Sequence, residues 1–154
     1  MAIGTDDAIF KYGTQDKISV ASTASVADAA KSIAGDVDST WANTDDAPIG
    51  TFVFEATFGT APDTRSAVSL FARLLDFQST NDMPIPDANY DGIYLGAFVV
   101  DNVTSAQFLV LADVPLPSVE TSQVIEFYIE NNCGQTLSAG WDLWVTPKTY
   151  GGAA

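Results

Sequence analysis

The clearest pattern in the chain is the alternation through Thr51–Gly59. Phe52, Phe54, Ala56 and Phe58 fall on one side, and Thr51, Glu55 and Thr57 on the other. A period of two marks a strand with one buried face, because successive side chains of an extended chain point to opposite faces. Ala67–Phe77 reads as a strand less cleanly. Gly92–Asp101 is apolar on both parities, which predicts a central strand buried on both faces. Ala106–Val114, Gln123–Glu130 and Leu137–Thr146 complete the set, with Pro, Gly, Asn and Asp between the runs. These connections are too short and too rich in Pro for the helical crossovers a parallel sheet needs. The prediction is an all-β fold, an antiparallel β-sandwich or jelly roll of about 7–8 strands.

Residues 1–48 differ in character from residues 49–154, which are expected to form the sandwich. The first segment is rich in Ala, Ser, Thr and Asp. Ser25 and Asp28 have the spacing of a capping box, followed by Val26, Ala29, Ala30 and Ile33 at helical spacing and by Gly35 as a stop. A short helix over about 25–34 is therefore expected, too short to be stable without a packing partner. Residues 1–17 show no clear period and read as an N-terminal arm. Its apolar anchors are Ile3, Ile9, Phe10 and Tyr12.

Alternation along the strands predicts a core of Phe52, Phe54, Phe58, Leu70, Leu95, Phe108, Phe127, Ile129, Trp141, Leu143 and Val145. The length of 154 residues fits one domain, and 47 % apolar residues give it material for a core. The single Cys133 has no partner for an internal disulfide, so packing carries the stability. It falls in Asn131–Gly134, which reads as a tight turn between the last two strands, and no basic neighbour activates it.

Charge narrows the function. A net charge of −14 with six basic residues repels phosphate backbones and anionic bilayers, which excludes nucleic acid and membrane as partners. The opening Met-Ala-Ile-Gly-Thr-Asp-Asp has neither the basic region nor the apolar core of a signal peptide. The chain is expected to be made and kept in a cytoplasm unless a particle carries it out.

Catalytic chemistry is sparse. The chain has no His, which removes Ser-His-Asp and Cys-His nucleophile systems and nearly all zinc sites. Neither a P-loop nor a GxGxxG loop is present. Glu126 and Glu130 share a strand face, but four residues of strand separate them by about 13 Å, beyond the roughly 5–9.5 Å of glycosidase pairs. The simpler reading is a solvated face of Glu126, Tyr128 and Glu130 backed by Phe127 and Ile129. Asp87, Asn89, Asp91 and Gly92 begin like a calcium loop, yet Phe98 stands where the twelfth-position Glu is required. A turn rich in Asp and Asn accounts for them. No enzyme activity, metal or cofactor is expected.

Aromatics supply the binding candidates. Trp141, Leu143 and Val145 share the core side of the last strand, whereas Trp144 shares the other with Asp142, Thr146 and Lys148. Trp144 is thus an interface anchor or sugar platform, unless the N-terminal segment covers it. Trp41 and Tyr128 are further partner-binding candidates.

The stretch "DANYDGIYLGAFVVDNVTSAQFLVLADVPLP" followed by "EFYIENNCGQTLSAGWDLWVTPKTYG" resembles a group of small tailed-phage virion structural proteins. The residues carrying the resemblance include Phe127, Tyr128, Ile129, Glu130, Asn131, Gly134, Gln135, Ala139, Gly140, Trp141, Leu143, Thr146 and Pro147. The quoted segments lie in the C-terminal half of the chain and contain no catalytic residue. The resemblance implies a place in a virion. A capsid decoration or cement protein is then expected, binding the major capsid protein, copies of itself, or both, as a homo-oligomer on the head. The alternative is a carbohydrate- or receptor-binding sandwich of a tail, and a third reading is a glycan-cleaving enzyme. Chelation tests the metal reading. The melting temperature should be the same in EDTA as in calcium, and a calcium-restored loss of many degrees would revive the Asp87–Asp91 site.

Overall fold

The structure is a computed structural model and describes residues 8–18, 24–32 and 40–152. Ten strands lie in this range. They are β1 (Ala8–Tyr12), β2 (Asp16–Lys17), β3 (Ala30–Lys31), β4 (Thr40–Ala42), β5 (Ile49–Ala56), β6 (Ala67–Leu74), β7 (Ile93–Val99), β8 (Gln107–Pro115), β9 (Val124–Asn132) and β10 (Asp142–Gly152). Every pairing is antiparallel. The first sheet runs β1-β10-β5-β8, with β2 also on β10, and the second runs β3-β9-β6-β7, with β4 also on β9. The two sheets face each other as a sandwich.

The pairings are nested. β6 pairs with β7, β5 with β8, β4 and β3 with β9, and β2 and β1 with β10. The chain thus forms one long antiparallel hairpin whose tip is β6–β7. That hairpin rolls up so that β10 also meets β5 and β9 also meets β6.

Alternation decides which residues lie between the sheets. Phe52, Phe54 and Ala56 of β5 and Leu143 and Val145 of β10 point inward from the first sheet, and all are buried. Val68, Leu70, Ala72 and Leu74 of β6 and Ile125, Phe127 and Ile129 of β9 answer them from the second. Aromatic rings bridge the layers. Phe52 meets Phe127 edge-on at 5.2 Å, and Phe54 lies between Phe98 at 5.1 Å and Trp141 at 5.9 Å. Each ring removed from water contributes about 1.5–3 kcal/mol. Phe58, another member of the expected core, is buried through its bridge to Leu137.

Several expectations need correction. No helix forms in the described residues of 25–34. Val26 instead exchanges backbone hydrogen bonds with Leu137 at 3.0 and 2.9 Å, and the Ala29 and Ser32 amides donate to Asn131 and Ile129 at 2.7 and 2.8 Å. A two-turn helix would have left that edge of β9 unpaired, and Ala29 sits at φ 57°, outside helical geometry. Asp28 does not cap a helix either; its carboxylate accepts from the Gly134 amide at 2.8 Å. The segment expected as an arm supplies β1 and β2, and Ile18 is buried in the core.

β7, expected at the centre of its sheet, is an edge strand. Its second apolar face has a different origin. Gly96 lets Leu111 of β8 approach so closely that a Cβ there would lie 2.6 Å from it, which brings the two edge strands together. On the outer face, Tyr94 contacts Phe71 at 5.5 Å. Leu95 is only half-buried against the core. Phe108 is 66 % exposed, because Leu109 and Leu111 take the inward parity of β8 and Phe108 falls opposite the outward Glu55.

Truncating Trp141 to Ala should cost about 3–5 kcal/mol, whereas Phe108→Ala should stay within about 0.5 kcal/mol of wild type in urea melts. Equal losses would mean that the faces of β8 are reversed.

Candidate interaction surfaces

The two outer faces of the sandwich are unlike. The outer face of the second sheet lies under the long β6–β7 connection, residues 75–92. There the expected solvated row is buried. Glu126 and Tyr128 are 6 % and 1 % exposed. Arg73 Nε pairs with Glu126 Oε2, and the Tyr128 hydroxyl donates to the same oxygen at 2.7 Å. A second guanidinium nitrogen of Arg73 donates to the Met83 carbonyl at 3.0 Å, and the Met83 amide returns to the Leu74 carbonyl at 3.0 Å. A charge buried this deeply needs its partner and its hydrogen bonds, and here the partner also fastens the cover. Burial and then the Glu126 carboxylate push the Tyr128 phenol well above its ordinary value of 10.0.

The same connection is pinned again further along. Lys31 of β3 donates to the Asp87 carbonyl at 3.2 Å and lies 2.9 Å from Asp91 and 3.7 Å from Glu130. The Asp91 contact raises the Lys31 pKa, against the opposing effect of burial. Asp87 holds its own turn, its carboxylate accepting from the Asn89 and Tyr90 amides at 2.7 and 3.0 Å. The Asp87–Asp91 pattern is therefore a turn fastened by a lysine. No group of three His, Cys, Asp or Glu suited to a metal occurs among the described residues.

The outer face of the first sheet has no such cover among the described residues. Register aligns Lys17, Trp144, Val53 and Val110 in one row across β2, β10, β5 and β8. The next row holds Asp142, Glu55 and Phe108, and a row on the other side holds Tyr12, Lys148, Ile49 and Pro115. Phe108 and Val110 are 66 % and 63 % exposed. The lysines are matched on the face itself. Lys17 lies 2.8 Å from Asp142, and Lys148 pairs with Asp113. This face is thus close to neutral on a chain of net charge −14.

The expected partner residues divide. Phe10 and Tyr12 are exposed at the β1 edge, with Phe10 against Tyr150 at 4.6 Å. Ile9 belongs to β1, and Ile3 lies outside the described residues. Trp144 is half-buried on the expected polar side, with the Lys17 ammonium 5.3 Å from its ring centre. Trp41 and Tyr128 are buried and offer nothing to a partner. The Trp41 indole donates to Asp16 at 3.0 Å and its ring packs toward Phe127, which ties β2 to β4. Cys133 is also buried, and burial raises its thiol pKa.

Phe108, Val110 and Tyr150 were not foreseen as surface anchors. In β8 both parities are apolar, so alternation alone could not say which one faces water. Shallow clefts accompany these faces. One of about 240 Å³ lies between Ile93–Leu95 and Pro115–Pro117, and a polar one of about 440 Å³ is lined by Ser25, Thr60, Gln135, Thr136 and Ser138. Comparison with known proteins adds no relative: no family model, no curated protein and no solved structure matches the chain.

The buried Tyr128 makes stability depend on alkali. Its raised pKa favours the folded state while the phenol is neutral. That contribution is intact below the ordinary tyrosine value of 10.0 and is lost as pH rises above it. Tyr128→Phe should therefore flatten the fall in melting temperature above about pH 10. Arg73→Leu, which strands the Glu126 charge, should cost about 3–5 kcal/mol at neutral pH. An unchanged alkaline profile in Tyr128→Phe would remove Tyr128 from this account.

Proposed function

We propose that this protein is a virion structural protein that decorates the head of a tailed phage, and that it docks through the outer face of its first sheet. The observation that carries the reading is the contrast between the two outer faces. One is sealed by a fastened connection over a buried ion pair. The other presents Phe108, Val110, Val53 and half-buried Trp144 with its lysines matched internally. A bare, nearly neutral apolar face on an otherwise acidic body suits broad contact with another protein surface. We further infer that the sandwich is a jelly roll. The nested pairing, a single long hairpin rolled into two sheets, supports that reading, and viral shells use this architecture. The resemblance of the C-terminal segment to small virion proteins points the same way. Weak contacts repeated many times by symmetry suffice for such a role, and no catalytic group is needed.

Copy number and a face variant test this together. Purified particles should carry hundreds of copies per head, and Phe108→Asp with Val110→Asp should fold normally yet leave heads largely undecorated. A handful to some tens of copies, all on the tail, would overturn the head assignment in favour of a receptor- or glycan-binding role. Full decoration by the double variant would overturn the choice of face.

A further inference from the structure

Strand β1 ends the first sheet, and its outer rim pairs with nothing among the described residues. Open rims are normally protected by proline, bulges or outward charge. This one has none of these. β1 is Ala-Ile-Phe-Lys-Tyr, with an unbroken register on β10. Its one charge, Lys11, lies back over its own sheet, where a Cβ on Gly151 would meet the lysine nitrogen at 2.9 Å.

The direction of the free backbone groups follows from the ladder. The Gly13 amide donates to the Pro147 carbonyl at 2.8 Å, directly across the pair. Alternation in an antiparallel ladder then turns the N–H and C=O of Lys11 and Ile9 toward β10 and those of Ala8, Phe10 and Tyr12 outward. The same alternation puts the Phe10 and Tyr12 side chains on one face, beside Tyr150. Phe10, Tyr12 and Tyr150 are 53 %, 70 % and 60 % exposed, and Phe10 and Tyr150 touch.

We propose that two copies of this chain join rim to rim through β1, antiparallel about a twofold axis at Phe10. In that register Phe10 of each copy exchanges both backbone hydrogen bonds with Phe10 of the other, and Ala8 does so with Tyr12. The exposed aromatics of both copies then form one continuous strip, the composition typical of an interface core. Charge favours this occupant: on a chain of net charge −14, β1 carries no carboxylate, so two copies can meet along it without acid facing acid. An isologous contact closes on itself, so each rim is used once. The inference does not rest on the head-docking reading, because it concerns the free protein and the β1 rim, at the opposite edge of the sheet from Phe108 and Val110.

The full chain should sediment at twice the monomer mass at high micromolar concentration and dissociate on dilution. Phe10→Pro removes only an outward N–H and should give a monomer with β10 still paired. Phe10→Cys brings two thiols across the axis at about 5.5 Å between Cα atoms, within disulfide reach. It should form a covalent dimer under mild oxidation far faster than the exposed control Ser118→Cys, with Cys133 buried in both. A wild-type chain that stays monomeric, a dimer that survives Phe10→Pro, or cross-linking of Phe10→Cys no faster than the control would each overturn the proposal. The cysteine pair reads out even if the proline variant fails to fold.

Discussion

Four rings, Phe52 on Phe127 and Phe54 on Phe98, join one sheet to the other, and the remaining architecture is arranged around that contact. Phe52 and Phe54 come from β5 in the first sheet, while Phe98 and Phe127 come from β7 and β9 in the second. Once these rings interlock, the chain has to travel between layers after most strands. Pairing in a sandwich built this way is dominated by contacts distant in sequence. Closing them costs loop entropy before they return any stabilisation, so folding should be slow relative to a helical protein of the same length.

The polar arrangement follows from the same constraint. A sheet buried inward by aromatics must still deal with its outward side chains. On the second sheet the solution is an ion pair, a phenol and a connection tied down at Met83 and Asp87. On the first sheet the solution is different: charges are matched locally by Lys17 with Asp142 and Lys148 with Asp113, and the apolar residues between them stay open. A buried polar layer specifies one arrangement of the cover, since a half-satisfied network would cost more than an apolar one.

The fold class was legible because β5 and β10 alternate cleanly, each with one face in water and one in the core. Legibility failed where alternation was not the deciding force. Tyr128 and Glu126 look like a wet face until a connection far away in sequence lies across them. Phe108 and Leu109 carry the same hydrophobicity, and only the register against Glu55 separates them. The Ser25–Asp28 spacing satisfies a helix cap locally, but the unpaired edge of β9 outweighs a helix of that length. The anchors at the β1 rim, Phe10 and Tyr12, were visible as apolar residues in a polar segment. Their pairing on β10 was not, because β1 lies more than a hundred residues from its partner.

The close seat of Leu111 on Gly96 has a consequence for how this molecule can be stacked. It draws β8 against β7, so the far rim of the first sheet faces its own companion layer and is not offered to a neighbour. The first sheet therefore has a capped end and, among the described residues, a bare end along the hydrogen-bonding direction. Such a sheet is a terminator to its own kind: it can be extended once, at β1, and the joined sheet has no rim left to extend. A substitution at Gly96 that pried β8 away from β7 would uncap that end and turn a self-limiting unit into a monomer for fibre growth.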